Sequence, residues 1–294
     1  MASKISVVIN TLNEEANIER VIKSAKFADE IIVCDMHSDD DTTKIAKSLG
    51  AKIFLHKRVG YVEPARNFAI GKATNDWILI LDADEEIPNT LSTRLKELAE
   101  KKISANFIEI PRKNIIFGKW MKASFWWPDY QIRFFKKGSV IWSDNIHSKP
   151  ETKGEGLKLS EEEDFAILHH NYRSVFQFIE RLNRYTEIEA KQLLSEGYAF
   201  SWKDLIQKPT NEFLSRFFAN KGYLDGLHGL SLSLLQAFSF LIVYLKVWEK
   251  NRFKEEGISL DDIVGEREKS TNALNYWMKK PDSGGNFFKK FFKV

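Results

Sequence analysis

Cysteine is almost absent from this sequence, since Cys34 is the single one among 294 residues. One cysteine cannot form an intramolecular disulfide or a cysteine-cluster metal site, and a chain without disulfides is typical of a reducing compartment. Cys34 lies in the apolar run EIIVCD, which favours a small core side chain over a nucleophile. The first ten residues, MASKISVVIN, contain no apolar run long enough for a secretion signal, so a cytoplasmic protein is expected.

A strong excess of charge of either sign is also missing. The chain has 44 lysines and arginines against 41 aspartates and glutamates, which gives a formal net charge of +3. This balance argues against nucleic-acid binding through bulk charge. With 43% hydrophobic residues the chain can bury a core, and its length fits one large domain or a domain with a substantial appendage.

Three familiar catalytic motifs are absent as well. The sequence has no P-loop of the form G-x-x-x-x-G-K-[ST] and no G-x-G-x-x-G fingerprint after a strand. It also lacks the G-x-S-x-G elbow of many hydrolases. P-loop nucleoside triphosphatases, typical dehydrogenases and α/β-hydrolases are therefore not supported.

The first hundred residues do contain a regular alternation of strands and helices. Apolar runs predict strands at 4–10, 30–35, 52–56 and 76–83, separated by helices at 14–27, 41–51 and 62–73. Repeats at this spacing form right-handed crossovers and a parallel sheet that is covered on both faces. The predicted fold class is α/β, with a Rossmann-like, mostly parallel sheet flanked by helices. Ligands are expected beyond the carboxyl ends of its strands.

Acidic residues gather at those strand ends. The segment WILILDADEE places Asp82, Asp84, Glu85 and Glu86 directly after a buried strand, and Asp35 ends the second strand. Carboxylates this close together stay ionised only with positive charge or water among them. An Asp-x-Asp at a strand end suits Mg²⁺ or Mn²⁺ bridging carboxylate and diphosphate, whereas the plain alternative is a solvated acidic turn.

Polar residues near the other strands suit a nucleotide diphosphate. Thr11, Asn13 and Glu14 follow the first strand, and Arg66 lies on the helix before the fourth strand. A carboxylate such as Asp35 can accept the imide N–H of uracil, and hydroxyl and amide side chains can bond the ribose. An arginine can fork onto phosphate oxygens. The residues therefore predict a nucleotide diphosphate bound together with a divalent cation.

The order of these motifs is similar to that of family 2 glycosyltransferases, which have the GT-A fold. Four segments carry the similarity: ISVVINTLNEEANI, CDMHSDDDT, PARNFA and WILILDADEE. Three later segments resemble the subgroup that includes lipopolysaccharide core β-glucosyltransferases: FWWPDYQIRFFKKG, IHSKPE and LHHNYRS. The resemblance covers roughly residues 4–200. It implies an enzyme that moves a sugar from a nucleotide diphospho-sugar to an acceptor hydroxyl with inversion at the anomeric carbon.

The resemblance also assigns roles to individual residues. It places the metal at Asp84, with Asp82 turned toward the ribose or a metal-bound water. In many GT-A enzymes a histidine completes the metal shell, which makes His169 and His170 candidates, although a structural histidine is the alternative. The remaining assignments are the base and ribose at Thr11, Asn13, Glu14 and Asp35, and the phosphates near Arg66.

Two positions depart from the subgroup's pattern. The loop MHSDDDT stands where the subgroup has Ser-Gly-Ser-x-Asp-Gly-Thr after its second-strand acid. His147-Ser148 stands where its members tend to have His-Glu.

An inverting transfer needs a general base on the acceptor hydroxyl, and in this family the base is an Asp or Glu. Asp129, in WWPDYQIR, is the candidate, and its alternative is a polar turn residue after Pro128. Arg133 follows four residues later, where it can pair with Asp129 or touch phosphate. Asp144 and Glu151 are the reserve candidates.

Aromatic residues flank the candidate base. Trp126 and Trp127 are predicted walls of the acceptor site, with a core position as the alternative for one of them. Glu85 is expected near the acceptor, because it begins the loop after the Asp-x-Asp.

The predicted domains are a GT-A nucleotide-sugar-binding and catalytic domain at 1–198 and a helical extension at 199–294. The apolar run at 230–247 is interrupted by serines, and a spanning helix needs about twenty mostly apolar residues. This run is therefore expected to lie in the membrane interface or to pack against protein. The terminal NFFKKFFKV is predicted to anchor the chain at anionic lipid, and a disordered basic tail is the alternative.

The sequence and its resemblance together predict a metal-dependent inverting hexosyltransferase that uses a UDP-sugar. Its expected acceptor is a lipid-linked or lipopolysaccharide-core glycan at the inner face of the cytoplasmic membrane, and the C-terminal helices are also a candidate homodimer seam. A polyprenyl-phosphate sugar transferase is the alternative within the class. A non-catalytic nucleotide-sugar-binding scaffold is the alternative outside it.

Overall fold

The computed structural model describes residues 4–58, 63–101, 103–143 and 150–279. The chain divides into two compact units, one formed by 1–114 with 128–171 and the other by 115–127 with 172–294. These units do not coincide with the predicted division at residue 198, because the long helix at 175–195 belongs to the second unit.

The described residues form twelve strands. They are β1 (Ile5–Thr11), β2 (Glu30–Asp35), β3 (Lys52–Leu55), β4 (Trp77–Asp82), β5 (Glu85–Glu86), β6 (Phe107–Ile116), β7 (Lys119–Trp120), β8 (Asp129–Lys136), β9 (Val140–Ile141), β10 (Glu151–Thr152), β11 (Gly156–Lys158) and β12 (Ile167–Tyr172). The main sheet has the order β3-β2-β1-β4-β8-β6-β12-β5, with β7 and β11 also paired to β6.

The helices alternate with the first strands and then dominate the second unit. They are α1 (Ile18–Ser24), α2 (Thr42–Ser48), α3 (Glu63–Gly71), α4 (Asn89–Glu100), α5 (Val175–Ser195), α6 (Asp204–Leu214), α7 (Gly226–Lys250) and α8 (Leu260–Lys279). The sequence did not predict α4. Its Leu91, Leu95 and Leu98 recur at helical spacing and are buried in the core of the first unit.

The parallel part of the sheet confirms the predicted fold class. Strand β1 runs parallel to both β2 and β4, and all seven of its residues are buried. Side chains alternate between two hydrophobic clusters on opposite faces, so Ile9 belongs to one cluster and Val8 to the other. Because both faces are covered, these strands appear in the sequence as continuous apolar runs rather than as alternating patterns.

The strand register brings several predicted site residues to one edge of the sheet. Thr11 lies opposite Asp35 at the ends of β1 and β2, and Asn10 lies opposite Asp82 at the end of β4. Strand β8 runs antiparallel to β4 and to β6, so its first residue, Asp129, lies toward the same edge and pairs with Arg112. The fold therefore gathers residues that are far apart in the sequence.

The second unit is mainly helical, as predicted. One cluster packs β6 and the following loop against α5 and α7, and its buried members are Ile116, Met121, Phe178, Leu182 and Leu232. A smaller cluster joins Leu214 of α6 to Ala273 and Trp277 of α8.

The apolar helix α7 is longer than the sequence suggested. An 18-residue segment within Gly222–Lys250 has a mean hydropathy of 1.8, and the helix is long and apolar enough to cross a membrane, by length and composition only. Of that 18-residue segment, 33% is buried inside the protein. The run, expected to fall short of a spanning helix or to be borderline, thus passes by length and composition, and its expected position in the membrane interface or against protein stays a prediction.

Glu30, at the start of β2, is a buried carboxylate that makes the first unit sensitive to acid. It accepts hydrogen bonds from the Ser6 hydroxyl at 2.5 Å, the Lys52 ammonium at 2.7 Å and the Thr74 N–H at 2.9 Å. Burial acts to raise the pKa of Glu30, but these bonds outweigh it and lower the pKa to about 2 from 4.5. A carboxyl with a lowered folded pKa stabilises the protein above its unfolded pKa, and this stabilisation is lost as the pH falls from 4.5 toward 2.

Replacing Glu30 by Gln is expected to lower the free energy of unfolding by about 2 kcal/mol at pH 7. In urea denaturation at a series of pH values, the gap between variant and wild type should shrink as the pH approaches 2. The matched control is Glu19→Gln, since Glu19 forms an exposed pair with Lys23 and should matter little. A stability loss for Glu30→Gln that stays constant across the pH series would contradict the assignment.

Candidate functional site

The loops that follow β1 and β2 are held together by side-chain hydrogen bonds. Asp35 is buried, and its Oδ2 accepts from the Thr11 hydroxyl at 3.0 Å and the Ser38 hydroxyl at 2.5 Å. Its Oδ1 accepts from the Ser38 N–H at 2.8 Å. The Asn13 N–H donates to the Ser38 hydroxyl at 2.8 Å, and the Glu14 N–H donates to the Thr42 hydroxyl at 2.8 Å. The four residues predicted to contact base and ribose therefore lie in one cross-linked pair of loops.

The unusual loop MHSDDDT keeps a left-handed backbone at its second residue. His37 has φ of 61°, and Asn13 in the facing loop has φ of 56°. This region favours glycine and costs other residues about 1 kcal/mol or more. His37 stands where the subgroup has glycine, so the substitution leaves the chain in a conformation that glycine adopts more readily.

The four acids of WILILDADEE separate into different environments. Asp82 ends β4, Asp84 lies in the turn, and Glu85 and Glu86 form β5. Strand β5 pairs antiparallel with β12, with His169 opposite Glu85, and the His170 N–H donates to the Asp84 carbonyl at 2.8 Å. The turn therefore carries the acids to the two histidines that the sequence singled out.

Asp82 lies between two arginines. The Arg66 guanidinium donates to its Oδ1 at 2.9 Å, and the buried Arg133 donates to its Oδ2. Burial acts to raise the pKa of Asp82, but the charges of Arg133, Arg66 and Arg112 hold it well below the usual range. Burial likewise acts to lower the pKa of Arg133, while Asp82 and Glu85 hold it above the usual range. Asp82 is therefore a carboxylate stabilised by arginine.

Glu85 continues the same pattern toward β6. Its side chain is fully buried, and its Oε1 accepts from Arg133 at 2.7 Å and from Arg112 at 3.2 Å. Its Oε2 accepts from the Asp82 N–H at 2.9 Å. In this arrangement Glu85 faces two arginines, and its predicted contact with an acceptor stays a prediction.

Asp129 is held by donors on both carboxylate oxygens. Its Oδ2 accepts from Arg112 Nε at 2.9 Å, from Arg112 Nη2 at 2.6 Å and from Asn114 Nδ2 at 3.1 Å. Its Oδ1 accepts from Gln131 Nε2 at 2.8 Å. Burial acts to raise the pKa of Asp129, and the Arg112 charge with these hydrogen bonds lowers it below the usual value.

These contacts form one line of alternating charge, called here the charge chain. Its members, in order, are Arg66, Asp82, Arg133, Glu85, Arg112 and Asp129. The sequence predicted a metal as the positive charge among the acids of WILILDADEE. For Asp82 and Glu85 that charge comes from arginine side chains.

Sequence reasoning missed Arg112 and Asn114. Both lie on β6, two residues apart, so their side chains project from the same face of that strand. Both contact the carboxylate of Asp129 on the neighbouring strand β8. The available pattern was a pair of polar residues with period two inside the apolar strand FIEIPRKNII. The pattern indicates a polar strand face, but the partner of that face is fixed only by the register between β6 and β8.

Asp84 and His169 form the pair that suits a divalent cation. His169 Nε2 lies 3.5 Å from Asp84 Oδ1, and His169 Nδ1 lies 2.6 Å from Asn114 Oδ1. Because Asn114 uses its NH₂ group on Asp129, its Oδ1 accepts the Nδ1–H of His169, and Nε2 is the ring nitrogen that faces Asp84. A ligating histidine is typically oriented by such a bond on its other nitrogen.

The donor set fits a metal shared with substrate. Within 4–58, 63–101, 103–143 and 150–279 no group of three or more His, Cys, Asp or Glu side chains is arranged to hold a metal ion. Mg²⁺ in phosphate-transfer sites is commonly bound by one or two carboxylates, with phosphate oxygens and water completing the shell. Asp84 with His169 meets that requirement. His170 instead pairs with Glu86, at 3.1 Å, and its predicted metal contact stays a prediction.

The predicted aromatic walls lie in the second unit. Trp127 packs edge-on against Trp120 with ring centroids 5.2 Å apart, and the Arg216 guanidinium lies 5.7 Å from the Trp126 ring. Both are half-buried, and their contact with an acceptor stays a prediction. Of the reserve bases, Glu151 is exposed on β10. Asp144, the His147-Ser148 pair and the terminal NFFKKFFKV lie outside the described residues.

Replacing Arg133 by Gln is expected to lower the free energy of unfolding by about 3 to 5 kcal/mol, because Asp82 and Glu85 lose their buried positive partner. Urea denaturation at neutral pH measures this loss. The matched control is Arg58→Gln, whose pair with Asp39 is largely exposed and should cost less than about 1 kcal/mol. Similar small losses for the two variants would show that the charge chain does not stabilise the fold.

Comparisons with known proteins agree with this arrangement of motifs. The family model for glycosyl transferase family 2 matches residues 6–152. An uncharacterized glycosyltransferase of Rickettsia typhi is 30% identical over 273 residues, which cover 89% of this chain and 92% of that protein. The lipopolysaccharide core biosynthesis glycosyltransferase LpsC of Rhizobium meliloti is 23% identical, over 88% of this chain and 97% of its own.

Among solved structures, the glucosyl-3-phosphoglycerate synthase of Mycobacterium tuberculosis in complex with Mn²⁺ and UDP aligns at 28% identity with a TM-score of 0.33. The alignment covers 36% of this chain and 43% of that one. With the family model matching half of the chain, including β2, β3 and β4, and the Rickettsia relative matching along most of it, this protein belongs to glycosyltransferase family 2 and is a glycosyltransferase of the predicted GT-A fold class.

Proposed function

We propose that this glycosyltransferase uses Mg²⁺ or Mn²⁺ to transfer a hexose from a UDP-sugar, with inversion, to a hydroxyl of a lipid-linked or lipopolysaccharide-core glycan. The observation that carries the proposal is the edge of the sheet where β1, β2 and β4 end and β8 begins. Four features lie at or next to that edge: the Asp35 loop, the Asp84–His169 pair, Arg66 and Asp129.

The donor's nucleotide fits the cross-linked loops. Asp35 holds the loop that follows β2. Its Oδ2 accepts two hydrogen bonds and its Oδ1 accepts one, so Oδ1 can accept a further hydrogen bond from the imide N–H of a nucleotide base. Thr11, Asn13 and Glu14 line the facing loop. Arg66, which is only partly buried, is the member of the charge chain suited to a phosphate oxygen.

Asp84 and His169 would hold the metal, which when bound offsets the charge of the leaving diphosphate. The chain's own residues supply the rest. Asp129 is the proposed base and takes the proton of the acceptor hydroxyl. The acceptor oxygen bonds to the anomeric carbon from the face opposite the diphosphate, the bond from that carbon to the phosphate oxygen breaks, and its electron pair leaves with UDP.

The acceptor class rests on a relative. LpsC is named for lipopolysaccharide core biosynthesis and aligns with this chain along nearly its whole length. A similar acceptor, a core glycan carried on lipid, is therefore proposed for this chain.

The transfer assay tests the proposal with purified full-length chain, UDP-hexoses and a core-glycan acceptor. EDTA should abolish transfer and Mn²⁺ should restore it. Asp84→Ala should lose metal-dependent binding of UDP. Asp129→Asn should keep UDP binding and lose transfer by about a hundredfold or more, the range expected for a general base. Glu97→Gln, on the exposed side of α4, is the control with unchanged activity.

Three outcomes would replace the proposal. Wild-type turnover by Asp129→Asn would remove Asp129 as the base. A sugar-phosphate-lipid product would identify the chain as a polyprenyl-phosphate sugar transferase. Tight, metal-independent binding of nucleotide sugar without turnover would favour a binding scaffold.

The second unit is the proposed site of membrane association. Among the described residues, the exposed large apolar side chains lie almost entirely in this unit, and only Leu55 and Ile141 of the first unit are exposed in the same way. On α7 the exposed ones are Leu227, Leu234 and Phe238, spaced to share one helix face. A helix with an exposed apolar face suits the lipid interface, where an acceptor on a lipid carrier is met.

Flotation with vesicles of phosphatidylcholine and phosphatidylglycerol tests the membrane proposal. The double variant Leu227→Glu, Leu234→Glu is expected to float at least tenfold less than wild type, because it places charge on the apolar face. The control is Leu55→Glu, which changes an exposed leucine of the first unit. If all forms float alike and the double variant instead changes the mass measured by light scattering, the face is a homodimer seam.

A further inference from the structure

In the structure the proposed base is held in an ion pair with Arg112. Its Oδ2 accepts two hydrogen bonds from Arg112 and one from Asn114, whereas its Oδ1 accepts one from the neutral amide of Gln131. The positive charge of Arg112 also favours the ionised form, which makes the carboxylate a weaker base. A general base is most effective when its pKa lies near the operating pH. Asp129 therefore becomes a stronger base when Arg112 loosens its hold on Oδ2.

Arg112 already has a second carboxylate within reach. Its Nη1 lies 3.2 Å from Glu85 Oε1, a longer contact than the 2.6 Å between its Nη2 and Asp129. The same Glu85 oxygen is shared with Arg133, at 2.7 Å. How strongly Glu85 attracts Arg112 thus depends on how strongly Arg133 holds Glu85.

The other end of the charge chain faces the proposed donor. Arg133 donates hydrogen bonds to both Glu85 and Asp82. Asp82 in turn accepts hydrogen bonds from both Arg133 and Arg66. The Asp82 side chain is 25% exposed, whereas Glu85 is fully buried. A diphosphate that draws Arg66 away leaves Asp82 to bind Arg133 more strongly. Arg133 then holds Glu85 less, and Glu85 takes a larger share of Arg112.

We propose that Arg112 is a positioning residue that passes from Asp129 toward Glu85 when the donor diphosphate binds, and so releases the base only once the donor is in place. This inference rests on the proposed function and deepens it. It assigns roles to Arg112 and Glu85, and it makes donor binding precede activation of the acceptor. The benefit is that an empty enzyme holds its base in an ion pair, where it is a weaker base.

The charged groups around Asp129 are few enough for a direct test. Arg112 faces it from β6, Glu85 on β5 lies behind Arg112, and the neutral amides of Asn114 and Gln131 complete its contacts. The carboxyl carbon of Asp129 can be followed by NMR in protein labelled at aspartate Cγ, with Asp129→Asn to assign the signal. The probe is UDP with Mg²⁺, compared with protein in EDTA.

In the wild type the Asp129 signal should titrate at higher pH with UDP and Mg²⁺ than without ligand, by about one pH unit, which corresponds to a tenfold change in proton affinity. Glu85→Gln removes the charged alternative for Arg112. It should still bind UDP, yet the titration should no longer move with ligand and kcat should fall at least tenfold. A titration that does not move in the wild type overturns the proposal.

A second variant guards against loss of folding in Glu85→Gln. Arg112→Lys keeps the charge but not the planar fork that spans Asp129 and Glu85. It should raise the Asp129 titration in free protein toward its ordinary range and abolish most of the response to UDP. A variant that only lost thermal stability, with an unchanged titration and response, would show that Arg112 is merely structural. If Asp129→Asn is inactive while UDP leaves the wild-type titration unmoved, the coupling is wrong and the proposed base stands.

Discussion

The candidate site depends on the mutual neutralisation of three arginines and three carboxylates at one edge of the sheet. A buried charge that loses its partner costs several kcal/mol, so each member of the charge chain requires its neighbours. The charge chain links α3, β4, β5, β6 and β8. Its ion pairs are therefore part of the fold as well as of the candidate site. Every proposed catalytic step near Asp82 or Asp129 therefore changes a balance that already exists in the free protein.

Asn114 connects this charge chain to the proposed metal site. The amide is buried, its NH₂ group donates to Asp129, and its oxygen lies 2.6 Å from His169. The proposed base and the proposed metal ligand are therefore both hydrogen-bonded to the same side chain. By contrast, Asp35 accepts from hydroxyl and backbone donors, so the proposed contact with the nucleotide base and the charge chain depend on different chemistry.

Much of this site could be predicted from sequence because its residues follow buried strands. The continuous apolar runs of β1, β2 and β4 specify a parallel sheet, and a parallel sheet places Thr11, Asp35 and Asp82 at one edge. Arg112 was not predicted, because it belongs to an antiparallel strand whose neighbours depend on register rather than on local pattern. The neutralisation of Asp82 and Glu85 by arginine was missed for the same reason, since Arg133 follows them by about fifty residues.

The sequence by itself determined the α/β class, the order of the strand ends and the family to which the chain belongs, because hydrophobic period and motif order are local properties of a chain. Only the tertiary structure decided which acid meets an arginine, which histidine faces Asp84, and that α5 packs with the C-terminal helices. Those outcomes depend on strand register and on the distances between side chains from different elements. Such distances are set by packing the whole core, and no short stretch of sequence contains them.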